Sequence, residues 1–322
     1  FKAVIDEWTA MKGKGFHDFY TGGYLQLFKD FSAEVLNQQE SLWEIAFHPI
    51  GATYSENDGF WGTWNGPLVN AASGVHDQTA VMGRANAFFR VVPAWKSFFE
   101  DGDERRDVMV CTYQYNWSGG AHVKKSNESA PKNWYPGKWR REWMKPGYFH
   151  PNATNVNYCP IRYADAVLMM AEVKCMQGDY DAALDYLNRV RARAAVDPFS
   201  GYSDEDSVMK LIRDERAREL AGECHRKYDL VRWGIWYTET LKYAPSGTKE
   251  YIQANIQPCH EYYPIPDTEC ALTADADGNP VAGKVYEPGE TPDISEEYFA
   301  EKTMTDDNGD PVLDNDGDPV VM

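Results

Sequence analysis

Pro160-Ile161-Arg162-Tyr163-Ala164-Asp165-Ala166-Val167-Leu168-Met169-Met170-Ala171-Glu172-Val173-Lys174-Cys175-Met176-Gln177-Gly178-Asp179-Tyr180 opens the stretch that decides the fold, Tyr158 to Gly234, because it carries a sustained and well-punctuated helical pattern. Proline suits the first helical position, where its missing N–H would go unpaired anyway. From Pro160, residues Ile161, Ala164, Val167, Leu168, Ala171 and Cys175 recur at three- and four-residue spacing, lining one face with apolar side chains. Gly178 supplies the left-handed stop. Asp179 then caps a second helix whose apolar face is Tyr180, Ala183, Leu184, Leu187 and Val190, with Arg189, Arg191 and Arg193 in the last turn, where the helix dipole favours cations. Two amphipathic helices joined by so tight a turn pack antiparallel, as a hairpin of the tetratricopeptide kind.

A third helix is predicted from Ser203 or Asp204, with Ser203 and Asp206 at capping-box spacing. Its apolar residues are Val208, Leu211, Ile212 and Leu220. The rest is dense in charge: Arg213, Asp214, Glu215, Arg216, Arg218 and Glu219, then Glu223, Arg226, Asp229 and Arg232. Spacing pairs Asp214 and Glu215 with Arg218 along the helix. Trp233 and Gly234 close the segment.

Five ordered strings in this region resemble the SusD/RagB family of outer-membrane nutrient-binding lipoproteins. They are Arg162 to Glu172, Ala183 to Arg193, Asp214-Glu215-Arg216-Ala217-Arg218-Glu219-Leu220, Tyr228-Asp229-Leu230-Val231-Arg232-Trp233-Gly234 and Tyr263-Pro264-Ile265-Pro266. Upstream, Phe99-Glu100-Asp101-Gly102-Asp103-Glu104-Arg105-Arg106-Asp107 resembles the acidic, arginine-rich turn of the same family, so the likeness runs from about Ser41 to Glu269. The resemblance implies a mainly α, SusD-like fold of tetratricopeptide-type hairpins with long irregular loops and a few short strands. It further implies a lipid-anchored protein on the extracellular face of the outer membrane. Such a protein binds oligosaccharide and hands it to a SusC-like TonB-dependent transporter, with membrane attachment only through an N-terminal lipid absent from this chain. RagB-like members leave peptide cargo open. The family has helices before this point and usually closes on Asn-Pro-Gly-Tyr, which does not follow Cys270. The chain therefore reads as a piece missing its beginning or as an aberrant member.

Composition sets outer limits. A chain of 322 residues, 43% hydrophobic, buries a sizeable core, and no apolar run approaches the roughly 18 residues a membrane helix needs. The formal charge of -18 excludes nucleic acid as a partner, since that requires clustered lysine and arginine. Residues 271–322 hold 14 acidic and 2 basic residues, a net of -12, leaving -6 for the first 270. The organisation expected is an aromatic-rich ligand-binding region over 1–157, a helical scaffold over 158–270 and an acidic tail over 271–322. Of the six cysteines, Cys175 falls on an apolar helix face as a small hydrophobe. Cys224-His225, Cys259-His260 and Cys270 lack the short spacing of strong zinc sites, and a Cys224–Cys259 disulfide is the other reading.

Before the hairpin, Val4, Ile5, Trp8 and Met11 form one short helical stripe and Tyr24, Leu25, Leu27, Phe28 and Phe31 another. Ser41 to Phe47 alternates like a strand. Residues 49–80 interleave Gly, Asn and Ser with Tyr54, Phe60, Trp61 and Trp64, a density of rings that no helical periodicity explains. Each ring is either an anchor tucked into the body or a displayed platform. Displayed rings suit sugars, whose C–H faces are apolar and can stack on a flat ring at little entropic cost. Asn57, Asp58 or Asn65 would then select among hydroxyls. Asn86 to Arg106 reads as strand, turn and short helix, its Asp101, Asp103, Arg105 and Arg106 forming a structural ion-pair turn or an anion clamp. Residues 111–157 lack periodicity and bring Tyr113, Tyr115 and Trp117 into the candidate ligand set, while Lys138, Arg140 and Arg141 either favour an acidic glycan or form a solvated rim.

The tail repeats Asp-Gly and Asn-Gly turns, at Asp275 to Pro280, Asp306 to Pro311 and Asp314 to Pro319. Calcium is the competing reading there, but the glycine falls too early and no glutamate closes the loop, so no cofactor is expected. Glu215 and Glu219 lie one turn apart on one face, and paired carboxylates run glycoside hydrolysis, but only when they stand on either side of a scissile bond in a cleft with one pKa raised; the surrounding arginines point instead to an ion network and to a protein that is not an enzyme. A helical-repeat scaffold for protein partners is the remaining alternative.

Overall fold

The structure, a computed structural model, describes residues 1–47, 59–70, 82–144, 154–244 and 249–263. The two early apolar stripes become helices α1 (Lys2–Lys14) and α2 (Tyr24–Ser32), the second burying Tyr24, Leu27, Phe28 and Phe31 completely. Strand β1 (Ser41–Ile45) follows, then the short helices α3 (Trp61–Asn65) and α4 (Glu104–Met109). Strands β2 (Val110–Cys111), β3 (Tyr113–Ser118), β4 (Ala121–Ser126) and β5 (Tyr135–Pro136) make two small antiparallel pairs, β2 with β5 and β3 with β4. Strand β6 (Tyr158–Arg162) pairs antiparallel with β1. The helical series is α5 (Tyr163–Met176), α6 (Tyr180–Arg193), α7 (Glu205–Leu220) and α8 (Arg226–Arg232), then α9 (Trp236–Lys242) and α10 (Lys249–Asn255). The fold is mainly α, with long irregular connections and a few short strands.

The structure corrects the predicted start of the first hairpin helix. Pro160 lies in β6, and α5 begins at Tyr163 behind an extended Arg162. Pairing to β1 takes precedence over the local preference of proline for a helix start. The ladder matches Arg162 to Ser41, Ile161 to Trp43 and Tyr158 to Ile45, with irregularities between the pairs, and Pro160, which has no N–H to give, falls between matched positions. The following elements keep their predicted pattern. Asp179 caps α6 by accepting from the Ala182 N–H at 3.3 Å, and Val167, Leu168, Ala171, Ala183, Leu187, Val208 and Ile212 are buried where α5, α6 and α7 pack together. The capping box of α7 sits one residue later than predicted, with Asp204 accepting from Ser207 at 2.8 Å. Asp214 pairs with Lys210 rather than Arg218. The stretch 111–157 is not structureless, since β3 and β4 form a complete hairpin, and residues 86–92 form no strand.

Two compact units divide the chain, Phe1–Asp229 and Leu230–Met322. The second unit's described helices, α9 and α10, bury no residue. The first unit holds the molecule's unusual feature, a cluster of fully buried charges. The Arg162 guanidinium donates to Glu40 at 2.8 Å, Glu219 at 2.6 Å and Glu223 at 2.6 Å. Arg105 donates to Asp103 at 2.7 Å, Glu215 at 2.6 Å and Glu219 at 3.2 Å. Arg191 joins Glu215 to Glu100, Arg193 joins Glu40 to Glu219, and Lys138 reaches Glu223 and the Glu219 carbonyl. Burial works against the Glu219 and Glu223 carboxylates, yet the cations around them outweigh it and hold both well below the ordinary carboxylate range. Burial pulls Lys138 down to about 8 against the attraction of Glu223. Of the ion-pair turn predicted at residues 101–106, Asp103 and Arg105 belong to this cluster, with Asp103 also capping α4, while Arg106 pairs with Asp101 at the surface.

Removing one partner of a buried pair strands the other, at a cost of about 3–5 kcal/mol. Arg162→Ala is therefore expected to lower the unfolding free energy of the first unit by that amount in urea titrations at pH 7. Depressed carboxylate pKa values give stability that is present above about pH 4.3, the unfolded value, and lost as pH falls toward the folded one. The loss between pH 5 and pH 3 should accordingly be steep in the parent protein and shallower in Arg162→Ala.

Candidate functional site

The aromatic loop is built from Gly59 onward. Gly59 and Thr154 exchange backbone hydrogen bonds, and the Gly62 N–H donates to Thr154 Oγ1 at 3.3 Å, which seats α3 against the strand leading to β6. On that one turn of helix, neighbouring rings take opposite roles. Trp61 turns inward, its ring 4.4 Å from Tyr158 and 5.9 Å, edge-on, from the buried Trp139. Phe60 and Trp64 are four residues apart, so they share a face, and they stack with centroids 5.1 Å apart and planes within 16°. Gly66 lets the chain leave: a Cβ there would stand 2.1 Å from the Trp139 carbonyl oxygen, so no other residue fits.

Two backbone bonds fasten a second segment beside α3. Asn86 N–H donates to Thr63 O at 2.8 Å and Phe88 N–H to Trp64 O at 3.2 Å. Phe88 then lies 6.2 Å from Trp64, extending the row. Ala87 takes φ 50, a left-handed conformation costing a non-glycine residue about 1–2 kcal/mol. Arg90 holds it there by donating to the Ala87 and Phe89 carbonyls, its guanidinium 4.5 Å over the Tyr135 ring. Ala87 shares this conformation with Glu34, Ala195 and Cys224, and at Ala87 it lies beside exposed rings. Here Phe88, 63% exposed, lies beside Trp64, 43% exposed, and the adjacent Phe89 is 55% exposed. Phe60, half-buried, Trp64 and Phe88 thus form a row of rings at the surface.

Leu68 to Asn70 lead from this row to β3. Tyr115 N–H donates to Leu68 O at 3.0 Å and Asn70 N–H to Tyr115 O at 2.8 Å. The β3–β4 hairpin turns on Gly119 and Gly120, both at positive φ, as a two-residue turn of this kind requires. Tyr113, Tyr115 and Trp117 alternate onto one face. The hydroxyls of Tyr113 and Tyr115 both donate to Glu142, Arg140 Nη1 donates to Tyr113 Oη at 2.7 Å, and Lys124 Nζ sits 3.5 Å over the Tyr113 ring centroid. Burial, followed by the Glu142 carboxylate among the other causes, raises both phenol pKa values. These hydroxyls are committed inward. Trp117 meets His122 edge-on at 4.9 Å, and burial lowers the His122 pKa.

The predicted candidates therefore separate. Phe60 and Trp64 come together at the surface; Trp61 packs into the core cluster of Phe28, Phe31 and Trp139. Asn65 donates its amide to the Trp61 carbonyl at 3.1 Å, and Tyr113, Tyr115 and Trp117 line the neighbouring hairpin. Tyr54, Asn57 and Asp58 lie outside the described residues, as do the tail turns considered for calcium. Phe88 and Phe89 were not among the candidates: as adjacent rings in a segment predicted to be strand, they carried no signal beyond their own apolarity. The reading of Lys138, Arg140 and Arg141 as an acidic-glycan site or a solvated rim is corrected, because all three are buried and spend their donors on protein groups. Cys224 and Cys259 carry free thiols, so the disulfide reading fails. Among the described residues no cluster of three or more His, Cys, Asp or Glu side chains is placed to hold a metal.

A groove of about 630 Å³ elsewhere, between α1, β1 and α5, is lined by Val4, Trp8, Met11, Leu42, Ala166 and Met169. Trp8 and Phe16 give it rings as well, with Glu7, Lys14 and His17 at its polar positions.

Together, the antiparallel hairpin of α5 and α6, the packing of α7 on it and the long irregular connections define a helical, tetratricopeptide-like scaffold. The chain belongs to the SusD family, whose model matches residues 71–281. It is 39% identical over 119 residues to SusD-like protein P25 of Formosa agariphila, a match covering 34% of this chain and 21% of that relative. Its fold is similar to the crystal structure of a SusD homolog from Bacteroides thetaiotaomicron, at a TM-score of 0.66 and 27% identity over 80% of this chain and 54% of the other. Surface glycan-binding protein A from Bacteroides thetaiotaomicron, in complex with laminarihexaose, shares the fold at a TM-score of 0.56 and 18% identity, again over 80% of this chain and 54% of the other. The chain thus spans about half the length of these solved relatives. Among the described residues no helix is long and apolar enough to cross a membrane.

The division of roles on α3 is measurable. Trp61→Ala is expected to cost about 2–5 kcal/mol of stability in urea unfolding, as for a core tryptophan, and Trp64→Ala about 1 kcal/mol, the value of its ring pair.

Proposed function

We propose that this chain belongs to a lipid-anchored cell-surface protein of the outer membrane. It binds oligosaccharide on the row Phe60, Trp64 and Phe88 and passes it to a SusC-like TonB-dependent transporter. The observation that carries this reading is the exposure of that row on a strained backbone held from behind. A pyranose presents an apolar C–H face, and rings already fixed in place can cover it without an ordering cost. Family membership supports the reading, and the fold has a member in complex with laminarihexaose.

A binding rather than hydrolytic role is supported by Glu215 and Glu219. Both are wholly buried among Arg105, Arg162, Arg191 and Arg193, where no scissile bond could reach them. Peptide cargo is the outcome to exclude in the same experiment.

Isothermal titration against soluble plant and host glycans, with a matched peptide panel, is expected to give heat with a glycan alone. Trp64→Ala and Phe88→Ala should each weaken that binding at least tenfold, about 1.4 kcal/mol. Tyr113→Phe should leave it unchanged, because its hydroxyl is spent on Glu142. Undiminished affinity in Trp64→Ala would remove the ring row from the site.

A further inference from the structure

We infer that the ring row receives anionic glycans, with Arg90 taking the carboxylate or sulfate of the sugar, an inference that rests on the glycan reading above. Arg90 is exposed, yet its guanidinium is fixed before any ligand arrives. It stacks 4.5 Å over the ring of the buried Tyr135, and Nη1 alone donates to the Ala87 and Phe89 carbonyls. Its Nε and Nη2 are left without a protein acceptor among the described residues. Those two N–H groups form the edge that meets a carboxylate two-to-two, as Nε and Nη2 of Arg216 meet Asp229 at 2.9 and 3.1 Å within this fold. Arg90 stands two residues from Phe88 in the chain. A sugar carries its carboxylate or sulfate on the rim of the ring rather than on its C–H faces, so stacking on the row and pairing with Arg90 are compatible. A guanidinium already held in place also loses little freedom when the anion arrives.

The surroundings of Arg90 add to it. Val69 bridges Ala85 on one side and Tyr115 on the other, and Tyr115 faces Lys124 across the β3–β4 ladder, so residues 84–88 and 68–70, β3 and β4 lie side by side. At about 4.8 Å per step, Ala85 and Lys124 are about 14 Å apart. This strip carries Arg84, Arg90, Lys124 and Lys125, all exposed, and residues 59–70, 82–92 and 113–126 include no aspartate or glutamate. The whole chain has 50 acidic residues to 32 basic ones, so this stretch of surface runs against its composition. Cations just outside the strip are paired, Lys96 with Glu128 at 3.3 Å and Arg140 with Glu142 at 3.8 Å, whereas none of the four pairs with a carboxylate among the described residues. Lys124 rests on the Tyr113 ring, a contact that leaves its charge in place. A polymer with one charge per repeat can therefore meet Arg90 directly while the other three draw it in, each acting over the screening length of about 8 Å at physiological salt.

Two matched pairs test this by isothermal titration at about 20 and about 500 mM sodium chloride: polygalacturonate beside its fully methyl-esterified form, and κ-carrageenan beside its desulfated form, with laminarin and mannan as further neutral polymers. In at least one pair the charged polymer is expected to bind about tenfold tighter than its neutral form at low salt, with the gap narrowing at high salt, and the pair that responds distinguishes carboxylate from sulfate. Arg90→Lys keeps the charge but not the fork, and should lose about tenfold for the charged polymer while keeping its salt dependence. Arg84→Gln combined with Lys125→Gln should lower affinity for the charged polymer about threefold at low salt, and for the neutral form by less. Where Arg90→Lys weakens both forms alike, through release of the Ala87 turn, this second variant decides: undiminished affinity for the charged polymer overturns the inference. Heat from neutral polymers alone, or equal binding within both pairs, would overturn it and leave the glycan reading standing. Silence from every polymer, with heat from the peptide panel or without it, would remove both.

Discussion

Arg162 is the interaction on which the rest of the first unit depends. Its guanidinium is sealed from water and joins Glu40, just before β1, to Glu219 and Glu223 at the end of α7. Through shared carboxylates the same cluster takes in Arg105 from α4, Lys138, and Arg191 and Arg193 from the end of α6. Six parts of the chain meet there. Apolar contacts at such a crossing would tolerate sliding, whereas a guanidinium has a fixed fork of donors and accepts carboxylates only in particular directions. Burying so many charges is costly, and the cost is met only when every carboxylate finds several donors at once. Such an arrangement favours one assembled geometry over near alternatives, which is what a loop-rich protein with short strands lacks from its backbone alone.

That geometry reaches the surface by a traceable route. Lys138 is tied to Glu223 and to the Glu219 carbonyl, with its ammonium over the Phe28 ring. The next residue, Trp139, is thereby set among Phe28 and Phe31 as the floor of the core. Trp61 lies edge-on to that floor, and Gly66 passes within a Cβ's reach of the Trp139 carbonyl. Between these two fixed points stands Trp64. The ring at the surface is thereby connected, through Trp139, to the charges beneath it.

The hairpin of α5 and α6 was legible because helical periodicity, Gly178 and Asp179 are local signals and nothing distant contradicts them. Pro160 misled because its neighbour in space, β1, is more than a hundred residues away in the chain, and strand pairing overrides a positional preference worth a fraction of a kcal/mol. The β3–β4 hairpin was overlooked although the residues announce it: Tyr113, Tyr115 and Trp117 alternate with Gln114 and Asn116, and Gly119-Gly120 closes the turn. Polar alternate positions disguised it, since Gln114 is buried and bonded to Asn127 and Tyr135 rather than facing water. Basic residues were the hardest to place. Lys138, Arg140 and Arg141 resemble a solvated run, and only the acceptors brought from α7, α4 and Met82 decide that they are interior.

In the candidate site the loop's aromatic density was visible, but the role of each ring was not, for a geometrical reason. On an α-helix successive residues point about 100° apart, so Phe60 and Trp64 share a face that Trp61 cannot. Once the floor at Trp139 claims Trp61, the outward pair is settled. Phe88 joins them only through the hydrogen bonds of Asn86 to Thr63 and of Phe88 to Trp64, a partnership across more than twenty residues that no local pattern encodes. The row is therefore a tertiary object, and it is open on one side with firm backing on the other. A shallow surface gains little from burial, so its affinity depends on the rings being in place before the ligand arrives. The strain at Ala87, held by Arg90, is consistent with that demand: the fold maintains an unfavourable backbone so that two phenylalanines stay exposed, where side chains left to themselves would turn inward.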